Sequence, residues 1–599
     1  MLTEQVLSLD TETTGLKWHS GDRIVAIIIA SQFETYYFNF KDYEDDNPVL
    51  SWETFKLNIE PILLDPEKLW YLHNAKFDMQ MLALEDLYLG GTIHDTMVVE
   101  RLLNNNCFDL SLNSVGKVYG VDKSDAVVEW LKEHKHWELI QVPGKQKRVR
   151  EYDWSKVPYE VLCPYGEQDG RMTFQIGNRQ RIRCKQISQA QKDIPNNFKH
   201  CYYNELKLVK TVFHMEHYGV SLDVPYCEEA RDFYNARLQV LTERFQIETG
   251  HPFTDSAEAF GVSIPDLMPD VVNEKSGNLS YKSSVLERLD HPMAAVILDI
   301  RSTKKYLDFF NGFLYFKSEQ NTLHASLNQA GTKTGRFSCS GPNLQQLTKE
   351  ELLDQDDEYP VRRAIIPPKG FFFLMIDYDQ QEYRMMLDYC GATQLIKKIQ
   401  QGLDVHTATA ELASTPEMPI TRKQAKTANF AVLYGSGDAN LAANLKVSKD
   451  RAKAIREAIF AASPNMKRFM YKVQERARIA GHIKNWLGRI IHFPVPRPGE
   501  KEFYYRAPNA LIQGGCADVN KVAMNEIDDL LADRETRQVL CIHDELVFEM
   551  KYGEEHLIPE IKSIMERVYK HKNLNLTATV EYSEKSLADK KEWVEGSTR

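Results

Sequence analysis

The feature that most limits the fold of this chain is an apolar run, FFFLMI at 371–376, that ends abruptly in Asp377. A run of this length predicts a strand that is buried on both faces and carries the carboxylate at its tip. Farther along the chain, the segment VLCIHDELVFEM holds His543, Asp544 and Glu545 between two apolar half-strands. This pattern predicts a tight hairpin, which would set Asp544 beside Asp377 if the two segments share a sheet.

Asp377 and Asp544 have chemical meaning mainly as a pair. Two carboxylates that meet from distant strands suit phosphoryl transfer with two divalent ions. One ion activates an attacking hydroxyl group, and both neutralise the charge that develops on the phosphate. Taken alone, either residue is more often a solvated turn residue, so the interpretation depends on the predicted contact between the two strands.

A second pattern is the segment RKQAKTANFAVLYG, in which Arg422, Lys426, Phe430 and Tyr434 recur every four residues. On a helix these side chains form one slowly drifting stripe, with about 40° between successive members. The stripe is cationic at one end and aromatic at the other. A nucleoside triphosphate has the matching polarity, because cations bind its phosphates and aromatic rings stack on its base. An isolated stripe also fits a surface helix with ordinary core aromatics, and this alternative stays open.

Four acids and a tyrosine form a third pattern. Asp10 and Glu12 lie on the predicted strand VLSLDTE, where alternation directs both carboxylates to the same face. Asp78 lies in a second segment, and Tyr165 and Asp169 are four residues apart, which places them on one face if their segment is helical. If the four acids converge, they can hold two Mg²⁺ ions, with Tyr165 orienting the attacking water. Each of these segments alone is weak evidence for a metal site, because an acidic pair on a strand is more often solvated than catalytic.

The bulk properties favour several packed units and exclude some classes of protein. A chain of 599 residues predicts three or more units, and 43% hydrophobic with 27% charged residues is typical of a soluble globular protein. The start of the chain predicts three strands, whereas 197–317 has the longer period of helices. No apolar run near the N-terminus is long enough to cross a bilayer, so we expect an intracellular protein. The nine cysteines include no C-x-x-C pair, which argues against a disulfide framework or a structural zinc site.

The net charge of −11 argues against a nucleic-acid partner unless basic residues are concentrated locally. Residues 467–489 contain seven Lys or Arg residues and a single Glu. This stretch predicts either a basic cleft within an acidic outer surface or a solvated amphipathic helix.

Three segments resemble, in the same order, the polymerase motifs of family A DNA polymerases, the bacterial DNA polymerase I type. They are DYDQQEYR from Asp377, RKQAKTANFAVLYG from Arg422 and HDE from His543. The family also has a T-x-x-G-R-x-S segment that contacts primer-template, and 332–338 is similar to it. The similarity covers essentially the whole chain, from the N-terminal acidic motifs onward.

The N-terminal motifs resemble those of proofreading 3′-5′ exonucleases that use four acidic ligands and a tyrosine. LDTETTGL, the segment 74–78 and the segment 165–169 match its three motifs in order. The two resemblances imply an α/β multidomain fold, in which a ribonuclease-H-like exonuclease domain precedes a right-hand polymerase with palm, fingers and thumb. They also imply template-directed DNA synthesis with 3′-5′ proofreading.

The resemblance implies a role for each matched residue. For synthesis, Asp377 and Asp544 would bind the metal ions, with Glu545 as an accessory acid. Substrate binding is implied for Arg422, Lys426, Phe430, Tyr434, His406, Glu382 and Tyr378. Contacts with DNA are implied for Arg336, Asn509, Gln513 and His543. Excision would use the metal ligands Asp10, Glu12, Asp78 and Asp169 and the catalytic tyrosine Tyr165.

Two positions bear on the choice of nucleotide and metal. Glu382 matches the family residue that blocks a ribose 2′-hydroxyl, which implies a preference for deoxynucleotides. Asp379 departs from the family pattern, where Ser is usual, so it would either alter the metal affinity at Asp377 or have no effect. The implied cofactor is Mg²⁺, two ions per active site, with Mn²⁺ as a substitute.

The implied domain order is exonuclease 1–190, thumb 191–330, first palm segment 331–395, fingers 396–500 and second palm segment 501–599. The implied partners are primer-template DNA and deoxynucleoside triphosphates, with a helicase or other replisome proteins as further candidates. We expect a monomer that does not associate with a membrane. Because the chain starts at the exonuclease motif, without a 5′ nuclease region, we expect a viral (phage) or organellar replicative enzyme, located in the host cytoplasm or in the organelle.

Two other functions stay open at this point. A single-subunit RNA polymerase shares the palm and a similar second motif, but it would need neither Glu382 nor an attached exonuclease. A stand-alone 3′-5′ exonuclease would use the rest of the chain only as a DNA-binding platform. The presence of Asp377, Asp544, Arg422 and Lys426 argues against this second alternative.

Overall fold

The computed structural model describes residues 3–43, 49–123, 125–145, 147–194, 197–269, 271–272, 277–347, 358–497, 502–570 and 572–594. Its N-terminal unit is built on a five-stranded sheet of β1 Val6–Thr13, β2 Ile24–Ala30, β3 Thr35–Asn39, β4 Leu69–Leu72 and β5 Thr92–Asp95. The strand order is β3-β2-β1-β4-β5, with β1 antiparallel to β2 and parallel to β4. Every residue of β2 is buried, which explains its uniformly apolar sequence. The three strands predicted at the start of the chain are present.

Helices cover this sheet and bring the third acidic segment against it. They are α1 Trp52–Leu63, α2 Ala75–Ala83, α3 Thr96–Leu103, α4 Leu112–Val118, α5 Ala126–Glu133 and α6 Tyr159–Ala190, and a hairpin of β6 Trp137–Ile140 and β7 Val149–Tyr152 precedes α6. Glycines let α6 approach the sheet closely. A Cβ at Gly166 would lie 3.0 Å from Glu12 Oε1, and one at Gly170 would lie 2.7 Å from Ile28 Cγ2. Segment 165–169 therefore packs directly against β1 and β2.

A helical arm follows, as the sequence predicts. It contains α7 Phe198–Tyr218, α8 Val224–Thr249, α9 Ala257–Ser263, α10 Ser283–Leu286 and α11 Pro292–Phe316, with the short strands β8 Val220–Leu222 and β9 Thr322–Leu323. Helices α8 and α11 pack along each other. Between them the ring of Tyr234 stacks on Tyr306 and Phe310, with centroids 5.2 and 5.9 Å apart. These rings belong to the main hydrophobic core and anchor the arm to it.

The central sheet is assembled from distant parts of the chain. Short strands β10 Ser326–Asn328, β11 Ser338–Ser340 and β12 Ile365–Ile366 lead into it. Its own strands are β13 Phe371–Tyr378, β16 Arg537–Ile542, β17 Glu545–Lys551, β18 Ala578–Ser583 and β19 Lys591–Glu592. They lie in the order β16-β17-β13-β18-β19, and all neighbours are antiparallel. Residues 372–376 are fully buried, so the buried strand predicted from the apolar run is present.

Some of the remaining helices surround this sheet, and others form a separate lobe. They are α12 Gln381–Cys390, α13 Thr393–Gln400, α14 Val405–Ala413, α15 Arg422–Leu433, α16 Asp438–Leu445, α17 Lys449–Ala462, α18 Pro464–Ala480, α19 Ala507–Leu531 and α20 Ile558–Arg567, with a hairpin of β14 His482–Lys484 and β15 Ile490–His492. Helices α14 to α17 share a small apolar core of their own, which makes them one lobe. Among the described helices, none is both long and apolar enough to cross a membrane.

The basic stretch 467–489 combines an exposed helix with one buried arginine. Most of its cations are exposed on α18, in agreement with the predicted amphipathic helix. Arg489 instead is 5% exposed, donates to Asp518 from Nε at 3.0 Å and pairs with Glu205. Lys521 pairs with the same Glu205 at 2.6 Å. The prediction of a cleft-lining stretch is therefore wrong for Arg489, whose charge is compensated inside the protein.

Candidate catalytic sites

The first candidate site lies where β1, α2 and α6 meet. Asp10 and Glu12 project from the same face of β1, and α6 brings Asp169 to them. One carboxylate oxygen from each of these three residues lies within 4.8 Å of the other two. Asp78 joins them from α2, where its Oδ1 accepts hydrogen bonds from the Thr11 N–H at 3.0 Å and from Thr11 Oγ1 at 2.7 Å. The four acids selected from the sequence thus converge.

These carboxylates are largely buried. Burial is the main reason that the pKa values of Asp10, Glu12 and Asp169 are raised, and neighbouring carboxylates raise those of Asp10 and Glu12 further. Burial also raises the pKa of Asp78 to about 7, although the hydrogen bonds from Thr11 oppose the shift. A divalent cation would offset this cost, and a donor set made only of oxygen fits Mg²⁺ or Mn²⁺.

Two more side chains complete the first site. Tyr165 lies one turn before Asp169 on α6, and its pKa is raised by burial and then by the Asp169 carboxylate. Lys123 donates to Asp169 Oδ2, and its Nζ lies 4.3 Å from the centroid of the Tyr165 ring. Burial lowers the pKa of Lys123, but Asp169 and Tyr165 raise it by more. Lys123 could not be selected from the sequence, because a lysine within a mixed-charge segment carries no signal of its own.

The second candidate site lies at one end of the central sheet. Asp377 on β13 is directly opposite Glu545 on β17, and the Tyr378 N–H donates to the Asp544 carbonyl at 3.4 Å. His543 and Asp544 form the turn between β16 and β17, in which His543 has a φ of +61°. This left-handed backbone permits a two-residue turn between antiparallel strands. The hairpin predicted from the sequence is present, and it sets Asp544 beside Asp377.

Two basic side chains bind Glu545. Its buried carboxylate lies 3.5 Å from Arg362 and also pairs with Lys590. Lys590 pairs in turn with Glu581 at 2.9 Å. The predicted accessory acid is therefore part of a buried ion cluster. Arg362 and Lys590 could not be selected from the motifs, because both are far from Glu545 along the chain.

Asp379 is held by hydroxyl groups of the neighbouring chain segment. Its carboxylate accepts hydrogen bonds from Thr577 Oγ1 at 2.7 Å and Thr579 Oγ1 at 2.8 Å. Its N–H also donates to the Thr577 carbonyl at 2.9 Å. The residue that departs from the family motif thus continues the pairing of β13 with the β18 segment.

The predicted nucleotide-binding stripe lies on α15. Arg422, Lys426 and Phe430 occupy successive turns, and Tyr434 directly follows the last residue of the helix. The rings of Phe430 and Tyr434 are stacked, with centroids 6.2 Å apart and an angle of 16° between their planes. Arg422 donates from Nε to Asp404 Oδ2 at 3.0 Å. The cationic end of the stripe is exposed, and its aromatic end adjoins the second site.

A cavity of about 350 Å³ connects the aromatic end of the stripe with Asp544 of the second site. Phe430, Tyr434, Glu382 and Asp544 lie in its wall. Tyr434 Oη donates to Glu382 Oε2 at 3.0 Å, and Arg336 pairs with the other carboxylate oxygen. Arg336, predicted to contact DNA, therefore also fixes a wall of the cavity.

The other predicted contacts lie around this cavity. His543 is in its wall, whereas Asn509 and Gln513 line a neighbouring cavity of about 830 Å³. His406 is buried behind Phe430, with ring centroids 5.8 Å apart. Burial lowers the pKa of His406 to about 4, so its ring is neutral near pH 7.

Tyr378 faces away from the cavity. Because side chains alternate along β13, its ring lies on the opposite face of the sheet from Asp377 and is 3% exposed. The Tyr378 hydroxyl donates to the Met565 carbonyl at 2.6 Å. The side chain of Tyr378 therefore does not face the cavity, and the predicted contact with the substrate would have to come from its backbone.

Comparisons with known proteins agree with this arrangement. Residues 225–587 match the family model "DNA polymerase family A", and 1–179 match the model "3′-5′ exonuclease". The chain is 29% identical over 602 residues to DNA polymerase I of Chloroflexus aurantiacus, covering 96% of this chain and 60% of that protein. It is 33% identical over 389 residues to the thermostable DNA polymerase I of Thermus aquaticus, covering 61% of this chain and 45% of that protein. The chain thus spans less than two thirds of the length of these relatives.

A solved structure shares the fold. It is the POL domain of Pol1 from M. smegmatis in complex with DNA primer-template and dNTP, with a TM-score of 0.78 and 22% identity. The likeness covers 98% of this chain and 96% of that one. The predicted multidomain fold, with an exonuclease domain before a right-hand polymerase, is confirmed. This chain belongs to DNA polymerase family A and carries a 3′-5′ exonuclease domain in residues 1–179.

Proposed function

We propose that this chain synthesises DNA on a template from deoxynucleoside triphosphates and removes misincorporated nucleotides with its exonuclease. The observation that carries the proposal is the pairing of β13 with β17, which sets Asp377 beside Asp544, and Asp544 lies in the wall of a cavity that Phe430 and Tyr434 also line. A carboxylate pair, two stacked rings and a cationic helix end together match a nucleoside triphosphate with its metal ions. Membership of family A supports the same activity.

The residues of both sites fit divalent ions. The ligands for synthesis would be Asp377 and Asp544, and those for excision would be Asp10, Glu12, Asp78 and Asp169. When bound, two Mg²⁺ ions per site, or Mn²⁺ in their place, activate the attacking oxygen and neutralise charge on the phosphate. Strands and helices hold these carboxylates, except that of Asp544, which lies in the tight turn between β16 and β17, so that few side chains would need to move during the reaction.

The choice of nucleotide would be made in the cavity of the second site. Arg422 and Lys426 would bind the triphosphate, and Phe430 and Tyr434 would form the pocket for the base pair. Glu382 would occupy the space that a ribose 2′-hydroxyl needs. Its two contacts, with Tyr434 and Arg336, support a fixed position for this carboxylate. The neutral ring of His406 behind Phe430 would complete the triphosphate site.

Primer-template DNA would be read beside this cavity. Arg336, Asn509, Gln513 and His543 would contact the minor groove of the nascent duplex, where correct base pairs present acceptors in nearly the same places. In the excision site, Tyr165 would orient the attacking water. The solved complex of Pol1 from M. smegmatis with primer-template and dNTP supports these partners by analogy. A monomeric state, a helicase or other replisome partner, and a viral or organellar role in replication stay predictions.

Primer extension tests this proposal against its two alternatives. The purified chain is given a labelled primer-template and Mg²⁺ with either four deoxynucleotides or four ribonucleotides. We expect extension with deoxynucleotides to be favoured by about a hundredfold or more, because Glu382 opposes the 2′-hydroxyl. A preference for ribonucleotides would indicate an RNA polymerase. Degradation of the primer without extension under any condition would indicate a stand-alone exonuclease.

A further inference from the structure

Lys123 is a cation inside the acidic first site. It lies between α4 and α5, its side chain is 13% exposed, and its Nζ lies 2.5 Å from Asp169 Oδ2. The same Nζ lies 4.3 Å from the centroid of the Tyr165 ring. Lys123 therefore contacts both side chains that α6 contributes to the site.

Lys123 adds a positive charge to a site whose other charged groups are acids. Asp10, Glu12, Asp78 and Asp169 carry four negative charges when ionised, which two divalent cations would balance. A phosphodiester substrate brings one more negative charge into a largely desolvated site, where an uncompensated charge is strongly disfavoured. The ammonium group of Lys123 supplies the matching positive charge.

The contacts of Lys123 also fix orientation. Tyr165 and Asp169 share one face of α6, and a single ammonium group between the ring and the carboxylate holds both in one arrangement. Because the three groups are mostly removed from solvent, salt screens this interaction little. The direction in which the Tyr165 hydroxyl points thus depends on Lys123.

We propose that Lys123 is a positioning residue of the 3′-5′ exonuclease, which holds Asp169 and Tyr165 for attack on the terminal phosphodiester and balances the charge of that phosphate. The inference rests on the proposed excision activity and extends it to a residue outside the matched motifs. Removal of the ammonium group has two consequences. Excision slows, and divalent cations bind more tightly, because the cation that competes for the same carboxylates is gone.

The test compares Lys123→Met with Lys123→Arg in a chain that also carries Asp377→Ala, so that synthesis does not mask excision. Lys117→Met, which replaces an exposed lysine on the nearby helix α4, is the matched control. Two quantities are measured for each variant. They are kcat for removal of the 3′ nucleotide from single-stranded DNA, and the Kd for Mn²⁺ from an electron paramagnetic resonance titration without DNA. Thermal unfolding reports whether each variant is folded.

We expect Lys123→Met to lower kcat by about tenfold or more, with a smaller change of KM, because orientation in the bound complex is lost. The same variant should bind Mn²⁺ about threefold more tightly or better. Lys123→Arg should recover most of kcat because it keeps the positive charge. Lys117→Met should change neither quantity.

An unchanged Mn²⁺ affinity in folded Lys123→Met would overturn the inference whatever happens to the rate, because a structural role alone does not alter competition for the carboxylates. An unchanged kcat would overturn it as well. If the parent chain removed no nucleotides, the proposed excision activity itself would be wrong. Equal excision by the parent chain and Lys123→Met would leave that activity standing and remove only the role of Lys123.

Discussion

Tyr434 Oη donates a hydrogen bond of 3.0 Å to Glu382 Oε2, so the ring that ends the nucleotide-binding stripe holds the carboxylate expected to exclude ribose. Arg336 pairs with the other oxygen of Glu382. With both oxygens bound, this side chain has a defined position in the cavity. The proposed selection of the sugar would therefore depend on three segments of the chain, which bring Arg336, Glu382 and Tyr434 together.

This relationship predicts how ribonucleotides can be admitted. Glu382→Ala should raise the ratio of kcat/KM for ribonucleotides to that for deoxynucleotides by about tenfold or more, because it opens space for the 2′-hydroxyl. Tyr434→Phe is the matched control, since it keeps the ring and removes only the donor to Glu382. Its effect on the ratio should be smaller. A ratio that Glu382→Ala leaves at the wild-type value would contradict the assigned role.

The raised pKa of Asp78 predicts a stability that depends on pH. Burial raises this pKa from its ordinary value of 3.8 to about 7, so the folded protein binds the proton more tightly than the unfolded chain does. The stabilising contribution of this group is therefore complete below about pH 4 and is lost as the pH rises through about 7. In EDTA, the Tm of the wild type should therefore fall relative to that of Asp78→Asn as the pH rises from about 4 to about 7.

Divalent ions should reverse that loss. Because Mg²⁺ would bind the four acids only when the chain is folded, it should raise the Tm of the wild type at pH 8 more than that of Asp78→Asn. Thermal unfolding at several Mg²⁺ concentrations measures this difference. Equal increases in both proteins would argue against metal binding through Asp78.

The buried ion cluster around Arg489 predicts a large effect of one substitution on folding. Arg489→Met leaves the buried carboxylate of Asp518 without its charged partner and removes one of the two basic side chains that pair with Glu205, so it should lower the free energy of unfolding by about 3–5 kcal/mol. Arg478→Met is the control, because Arg478 pairs with Glu475 on the exposed face of α18. The control should cost less than about 1 kcal/mol in guanidinium chloride unfolding. Similar decreases in the free energy of unfolding for both variants would show that burial does not increase the contribution of the ion cluster to stability.

Sequence reasoning succeeded where one short segment determines both the structure and the chemistry. The apolar run before Asp377 specifies a buried strand, and the two apolar half-strands around Asp544 specify a hairpin. The spacing of Arg422 and Phe430 likewise specifies one face of α15. In each case the local pattern of apolar and polar residues was sufficient to predict the element and the position of its functional side chain.

No local pattern was available where a partner lies far away along the chain, and a motif match did not specify the face of a strand that a side chain occupies. Lys123 meets Asp169, and Arg362 meets Glu545, only after the chain has folded, so no local pattern marks either basic residue. Tyr378 matches a motif position, but the match does not say which face of β13 its ring occupies. Alternation along the strand, with Asp377 on the site side, would have placed that ring away from the cavity.

The most direct test of the two-site account is the fate of a labelled primer on its template with Mg²⁺ and deoxynucleotides, compared between Asp377→Ala and Asp10→Ala. Asp377→Ala should extend the primer at least about a thousandfold more slowly than wild type and should still shorten it from the 3′ end. Asp10→Ala should extend the primer and leave its 3′ end intact when nucleotides are withheld. Extension by Asp377→Ala at the wild-type rate, or shortening by Asp10→Ala at the wild-type rate, would contradict the assignment of the two sites.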